Sequence, residues 1–187
     1  GCDFERFIFN VAGKDKQREL SIKSTIGYLL HSYKDSASNF AVVLNDETIS
    51  ENPTGGTGKG IIINAISKLK RSAILDGKSF SFDNSFPFQT VGIDTQVLCF
   101  DDVKKSFDFE RLFSVITEGI TIEKKGKDAF ILKREDSPKI LISTNYTIAG
   151  DSTSFARRKW DVELAQHYNL KNTPLKELGR LLFDDWD

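Results

Sequence analysis

The chain has 187 residues, of which 39% are hydrophobic and 28% are charged, and its formal net charge is −1. This composition fits one domain with a core of ordinary size and argues against an intrinsically disordered chain. Because the chain as a whole is not basic, a nucleic-acid partner would have to bind a local basic patch. No apolar stretch approaches the roughly 20 residues that a bilayer requires, so we expect no membrane partner.

The two cysteines, Cys2 and Cys99, are far apart in the sequence and lack metal-ligand spacing. Cys99 lies within an apolar run, which predicts a thiol packed in the core. With no signal peptide in the sequence, the cysteine pattern favours a reducing, cytoplasmic location. The sequence contains no Met and begins with Gly1, so we expect a fragment of a protein that has further flanking domains.

Strand-like and helix-like segments alternate along the chain. Helical spacing near residues 21–33 precedes a buried strand at 40–44, a glycine-rich loop and a helix at 61–69. The later segments are a strand at 97–100, a helix at 109–117, a β-hairpin at 120–132, strands at 139–143 and 160–164, and a helix at 174–183. This alternation predicts an α/β fold with a parallel, doubly wound sheet. We expect an N-terminal helical segment at 1–38 and one nucleotide-binding domain at 39–187.

The glycine-rich loop between the first strand and its helix has the composition of a phosphate cradle. Its residues are Pro53, Thr54, Gly55, Gly56, Thr57, Gly58, Lys59 and Gly60. The glycines let backbone N–H groups approach phosphate oxygens, and Lys59 supplies a cation beside the β- and γ-phosphates. The following helix directs its positive dipole end at the same point. A strand before the loop and a helix after it are the context of a P-loop.

Two positions depart from the usual P-loop pattern. Pro53 replaces the opening glycine, and Gly60 replaces the Ser or Thr that normally offers Mg²⁺ a hydroxyl. The metal would therefore need water or another oxygen in place of that hydroxyl. The alternative interpretation is a flexible glycine loop without a ligand.

Polar side chains follow two of the predicted strands. Asp101 and Asp102 follow the strand at 97–100, and Asn145 follows the strand at 139–143. In an open parallel sheet, ligands bind outside the carboxyl ends of the strands. We expect Asp101 to hold Mg²⁺, Asp102 to polarise the attacking water, and Asn145 to orient that water or sense the γ-phosphate. The alternative for the two aspartates is a helix N-cap.

Two basic groups lie outside this set. Arg157 and Arg158 precede the strand at 160–164, and an arginine suits the charge on a transferring phosphoryl group. An isolated pair of arginines, however, more often belongs to a solvated surface. Lys124, Lys125 and Lys127 crowd the tip of the predicted hairpin. They fit either an ordinary polar turn or a basic element that contacts phosphodiesters.

In this order, the motifs resemble one family, the superfamily 3 helicases of the AAA+ class. More narrowly, they are similar to the helicase part of phage- and plasmid-type primase-helicases. Four segments carry the resemblance: 55–60, 97–102, the hairpin at 120–132, and 139–145 together with Arg157 and Arg158. The resemblance implies an AAA+ type P-loop fold with an inserted β-hairpin, and it spans roughly residues 40–164.

The resemblance also implies roles for single residues. Lys59 and the loop amides would bind ATP phosphates, Asp101 and Asp102 would form the Walker B pair with Mg²⁺, and Asn145 would be the sensor. Arg158, or else Arg157, would act as an arginine finger on the ATP of a neighbouring subunit. The three hairpin lysines would grip single-stranded DNA inside a homo-oligomeric ring, a hexamer in the family.

The sequence therefore predicts an ATP hydrolase of the DNA helicase type, acting in replication in a bacterial or phage-infected cell. A primase domain on the same full-length chain would be its companion. The alternatives are another P-loop enzyme, such as a nucleotide kinase, and a P-loop ATPase or nucleic-acid-binding assembly module without helicase activity. A kinase would need an arginine-rich lid and an acceptor pocket, and the sequence offers neither.

Overall fold

The computed structural model describes residues 1–35, 37–48, 55–148, 150 and 152–183. The helices are α1 (Asp3–Val11), α2 (Lys16–Leu30), α3 (Lys59–Leu69), α4 (Phe113–Thr117), α5 (Thr153–Arg158) and α6 (Pro174–Leu178). The strands are β1 (Ala41–Asp46), β2 (Ser72–Asp76), β3 (Val97–Val103), β4 (Gly119–Lys124), β5 (Lys127–Lys133), β6 (Lys139–Thr144) and β7 (Lys159–Leu164). A short 3₁₀ helix, Phe109–Leu112, leads into α4.

Five strands form one sheet in the order β2-β3-β6-β1-β7, and every neighbouring pair is parallel. The predicted parallel α/β sheet flanked by helices is therefore confirmed. β1 and β6 are buried along their whole lengths, as expected for strands covered on both faces. All five strands run the same way, so their carboxyl ends share one edge of the sheet.

Each face of the sheet has its own buried cluster. Ala41 and Val43 of β1 belong to one cluster, and Val42 and Leu44 belong to the other, as the alternation of side chains along a strand requires. The second cluster also contains Phe7, Ile8 and Val11 of α1 and Ile22 and Leu29 of α2. The N-terminal helices thus pack against the same sheet that carries the glycine loop.

The predicted hairpin is present as the antiparallel pair β4–β5. Ile120, Ile122 and Leu132 bury one face of it against the core. Beyond them, the turn at Lys125 and Gly126 extends into solvent. The hairpin is therefore anchored at its base and exposed at its tip.

Two elements were not predicted from the sequence, β2 and α5, whereas α1 lies in the N-terminal segment 1–38 that was expected to be helical. The pattern of β2 is weak because only Ala73 of its five residues is fully buried. The helix predicted at 174–183 is shorter than expected, since Gly179 ends α6 in a left-handed conformation with φ 75°. Local apolar periodicity is a poor guide at such sheet edges and helix ends.

Cys99 is buried in β3, as predicted, and burial raises the pKa of its thiol well above its ordinary value. Cys2 is exposed and free. Within the described residues, no helix has the length and apolar character needed to cross a bilayer.

Candidate active site

The described part of the glycine loop has the backbone geometry of an anion cradle. Gly55, Gly56 and Gly58 all have positive φ angles, of 65°, 83° and 113°. Gly58 is the N-cap of α3, so the first free N–H groups of that helix face the loop. Pro53 and Thr54, which the sequence assigns to the same cradle, lie outside the described residues.

Gly58 also allows a close approach between the loop and α1. A Cβ atom at position 58 would lie 2.7 Å from the ring of Phe7. We expect Gly58→Ala to lower the free energy of unfolding by about 2 kcal/mol, because a left-handed alanine is strained and the ring must move. Gly60→Ala is the control, since nothing lies within 4 Å of that Cβ and the residue is helical. Chemical denaturation that found equal stabilities for the two variants would contradict this account.

Lys59 lies almost buried beneath the loop, and its side chain is 11% exposed. Its Nζ atom donates to Asp46 Oδ1 at 2.6 Å, to Asn145 Oδ1 at 2.8 Å and to Thr57 Oγ1 at 3.3 Å. Thr57 Oγ1 in turn donates to Asp46 Oδ1 at 2.5 Å. The ammonium group of Lys59 therefore has three acceptors. To bind a phosphate oxygen, it must break at least one of these three hydrogen bonds.

The two aspartates do not follow the end of a strand, as the sequence predicted, because β3 continues through them to Val103. The register against β6 shifts between Phe100 and Val103, and Asp102 has a φ of 57°. Consecutive side chains of a regular strand point to opposite faces. A bulge with one left-handed residue instead allows Asp101 and Asp102 to line the same cavity.

Ser143 stabilises this bulge. Its Oγ atom donates to Asp101 Oδ1 at 2.5 Å and accepts from the backbone N–H of Asp102 at 2.7 Å. The hydroxyl is fully buried between β3 and β6. It thereby satisfies the backbone donor that the irregular register removes from the strand ladder.

Asn145 links the lysine to the aspartates. Its Oδ1 atom accepts from Lys59, and its Nδ2 atom donates to Asp102 Oδ1 at 3.0 Å. Lys78, from the loop after β2, forms an ion pair with Asp102 Oδ2 at 2.5 Å. The Asp102 carboxylate raises the pKa of Lys78 through this contact. A continuous polar chain therefore runs from Asp46 to Lys78.

These side chains line a cavity of about 540 Å³ above the carboxyl edge of the sheet. The glycine loop forms one wall, and Asp101, Asp102 and Asn145 form the floor. Residues from the segment before α6 form another wall, among them Asn169 and Leu170. The volume is typical of a small-molecule site. It leaves space beyond the glycine loop for the part of a ligand that is attached to its phosphate groups.

Among the described residues, no group of three or more His, Cys, Asp or Glu side chains could hold a metal ion. A protein-only metal cage is therefore not found in that part of the chain. Mg²⁺ differs from other ions because one or two carboxylates, water and substrate phosphates suffice to hold it. Asp101 fits this role, since its carboxylate lines the cavity beside the loop.

The arginine pair does not join this cavity. Arg157 and Arg158 end α5, directly before β7, whose first residue is paired with Ala41 at the start of β1. They therefore lie near the amino edge of the sheet, opposite the glycine loop. Arg157 is exposed, whereas Arg158 packs its guanidinium 4.9 Å above the ring of Phe113.

The hairpin lysines are also remote from the cavity. Lys125 and Lys127 are exposed at the tip, and Lys124 lies 5.9 Å from the ring of Phe130. None of the three has an ion-pair partner among the described residues. Their ammonium charges are therefore not offset by a carboxylate at ion-pair distance in the described part of the chain.

Sequence reasoning missed Asp46, Ser143 and Lys78. Asp46 lies at the carboxyl end of β1, so the rule that drew attention to Asn145 could have found it. Ser143 lies inside an apolar strand, where a single hydroxyl side chain is commonly buried in the core without a functional role. No sequence pattern pointed to Lys78, because its ion-pair partner, Asp102, lies in another element.

Known structures share this fold. The apo structure of the NrS-1 C-terminal region superposes with a TM-score of 0.63 and 19% identity, covering 99% of this chain and 40% of that one. A JC virus (JCV) helicase bound to a small molecule superposes with a TM-score of 0.53 and 17% identity, covering 87% of this chain and 46% of that one. The chain therefore shares the fold of these structures, and it spans about 40% of the length of the NrS-1 structure.

The amino-acid sequence also matches a protein-family model. The model of a family of unknown function, DUF5906, matches residues 50–158, and the chain belongs to that family. The matched range includes the glycine loop, Asp101, Asp102, Asn145 and the arginine pair. No curated protein matches the sequence.

Proposed function

We propose that this chain is an ATP-dependent DNA helicase or translocase domain of a replication protein. The observation that carries the proposal is the convergence of Lys59, Asp101, Asp102 and Asn145 on one cavity beside the glycine loop. A cation, two carboxylates and a neutral amide at the end of a parallel sheet are the parts that phosphoryl transfer to water requires.

Each of these residues has a separate role. The loop N–H groups and Lys59 bind the phosphates, and Lys59 leaves Asp46 or Asn145 as it does so. Asp101 holds the Mg²⁺ ion, which neutralises phosphate charge when bound. Asp102 accepts a hydrogen bond from the attacking water, and Asn145 couples that position to Lys59, since it touches both.

Gly60 cannot ligate the metal, so Asp101 would hold Mg²⁺ together with phosphate oxygens and water. The hydroxyl of Ser143 keeps one oxygen of Asp101 in a fixed position, at 2.5 Å. Mg²⁺ commonly retains several waters, so a site with one protein carboxylate is chemically sufficient.

The position of the arginines favours action between subunits. Arg157 and Arg158 are near the edge of the sheet opposite the cavity, so they cannot reach a nucleotide in the same chain without a large rearrangement. A head-to-tail ring brings such an edge of one subunit to the cavity of the next. We therefore propose a homo-oligomeric ring of six subunits, in which Arg158 or Arg157 completes each site.

We expect Arg158→Ala to spare nucleotide binding and to reduce ATP hydrolysis by about 1000-fold, as for loss of an arginine finger. Equilibrium binding of the nucleotide measures the first effect, and release of phosphate from ATP measures the second. Arg157→Ala is the matched variant, because its side chain is exposed and Arg158 packs on Phe113. Loss of hydrolysis in Arg157→Ala alone would give the role to Arg157, and full hydrolysis in both variants would exclude an arginine finger here.

The exposed lysines of the hairpin tip are the proposed contacts to single-stranded DNA. They fit a moving DNA contact, since the hairpin is anchored at its base and free at its tip. Unpaired ammonium groups bind backbone phosphates without sequence preference. A primase domain on the same full-length chain and a cytoplasmic location remain part of the proposal.

The test is phosphate release from ATP by the wild-type chain, with and without a single-stranded oligonucleotide. Release that increases with the oligonucleotide is the expected result. Transfer of the γ-phosphate to a second molecule would instead make the protein a kinase. Tight DNA binding without any hydrolysis would favour a non-catalytic assembly module, the alternative to which Gly60 points.

A further inference from the structure

A second cleft, of about 440 Å³, lies at the opposite edge of the sheet from the glycine loop. The residues after α2, before β2 and at the start of β6 line it. Its basic side chains are those of His31, Lys34, Lys70, Arg71 and Lys139. The proposed ATPase site uses none of them.

Lys139 is the deepest of these cations, since the residue is only 4% exposed. Its Nζ atom donates to the backbone oxygen of Tyr28, lies 3.1 Å from His31 Nδ1 and is 3.9 Å from the centre of the Tyr28 ring. Lys34 Nζ donates to Ser137 Oγ at 2.6 Å and to the backbone oxygen of Pro138 at 3.3 Å. Neutral partners thus hold both ammonium groups in place.

The cleft has more positive charge than its own carboxylates offset. Among the described residues, Lys34, Lys70 and Lys139 have no carboxylate within ion-pair distance. Arg71 is paired with Asp94. The two other carboxylates that line the cleft belong to residues 135 and 136, which are exposed to water.

Burial, and then the neighbouring cations, lower the pKa of both Lys34 and Lys139 to about 8, although Asp136 and Glu135 offset part of the effect on Lys34. Both remain protonated at neutral pH, so they keep their positive charge in a partly desolvated place. Such charges are costly without a counter-charge, and a bound oxyanion would supply one.

The cleft adjoins the base of the hairpin, since β5 ends at Lys133 and residues 135–137 line the cleft. The pKa of Asp94, which lines the cleft, is lowered first by its hydrogen bond to Arg71 and also by the charge of Lys124. Lys124 is the hairpin residue at which β4 ends. The cleft is therefore a neighbouring site for the phosphate backbone of a strand that the hairpin binds.

We infer that this cleft binds a phosphate group, delivered by the same single strand that the hairpin lysines contact. The source of the phosphate rests on the proposed function, whereas the anion site itself rests on Lys34, Lys70 and Lys139. A phosphate offers several oxygens to converging donors and suits lysine as a point charge.

The test is binding of a labelled oligothymidylate to the double variant Lys34→Gln/Lys70→Gln, measured by fluorescence anisotropy at several salt concentrations without ATP. Glutamine keeps a donor for Ser137 and Pro138. We expect about tenfold weaker binding and a salt slope shallower by about 0.7, the change expected when one phosphate contact on a single strand is lost. Lys68→Gln is the control, since Lys68 is exposed on α3 and does not line the cleft.

A second arm titrates inorganic phosphate into the wild type and the double variant, followed by NMR of the cleft amides. Phosphate-dependent shifts in the wild type alone, with unchanged oligonucleotide binding, would keep the anion site and overturn its assignment to the strand. No shift and no change in oligonucleotide affinity would overturn the inference altogether. Both arms are measured without ATP, so failure of the ATPase proposal is distinguishable from failure of this one.

Discussion

Lys59→Ala is expected to reduce ATP turnover by at least about 1000-fold and to destabilise the fold at the same time. The loss of turnover follows from removal of the cation that lies beside the glycine loop and offsets developing phosphate charge. The loss of stability has a separate cause. Lys59 and Asp46 are 11% and 7% exposed, so the variant leaves a nearly buried carboxylate whose only side-chain partner among the described residues is the Thr57 hydroxyl.

Breaking a buried pair from one side costs about 3 kcal/mol, because the remaining charge stays desolvated. The double variant Asp46→Asn/Lys59→Ala removes that charge and should recover most of the stability while turnover stays absent. Phosphate release and urea unfolding measure the two effects. Lys68→Ala, on the exposed face of the same helix, should change neither quantity. Turnover that returned with stability in the double variant would show that Lys59 has a structural role only.

Asp102→Asn is expected to reduce turnover by about 100- to 10,000-fold with little change in stability, since it removes the carboxylate that would polarise the attacking water. Asparagine tolerates the left-handed backbone that Asp102 adopts, and its oxygen can still accept from Asn145. The lost ion pair with Lys78 is solvent-exposed, so its contribution to folding is small.

The matched comparison for Asp102→Asn is Asp101→Asn. Raising the Mg²⁺ concentration should partly restore turnover in Asp101→Asn, because Asp101 is the proposed metal ligand, and should not restore it in Asp102→Asn. Asp102→Ala should in addition lose about 1 kcal/mol of stability, since alanine is strained at a φ of 57°. Turnover within a few-fold of wild type in Asp102→Asn would remove this residue from the chemistry.

Much of the site could be predicted because its positions obey local rules. Lys59 follows glycines that tolerate positive φ angles, and Asn145 follows a buried β-branched strand. Parallel strands bring their carboxyl ends to one edge, so the sequence order of such segments already implies that they meet. Whether Arg158 and the hairpin lysines act as proposed remains a prediction.

By itself, the sequence determined the strand–loop–helix unit around Lys59, the buried strands β1, β3 and β6, and the hairpin, since turn chemistry and apolar runs act over a few residues. The tertiary structure alone decided the bulge that turns Asp101 and Asp102 to one cavity, and the choice of Asp46 as the partner of Lys59. It also decided the second cleft, where Lys34 donates to the backbone oxygen of Pro138, 104 residues away in the chain. Partners so far apart in the sequence meet only through packing of the sheet and its helices, which no local pattern encodes.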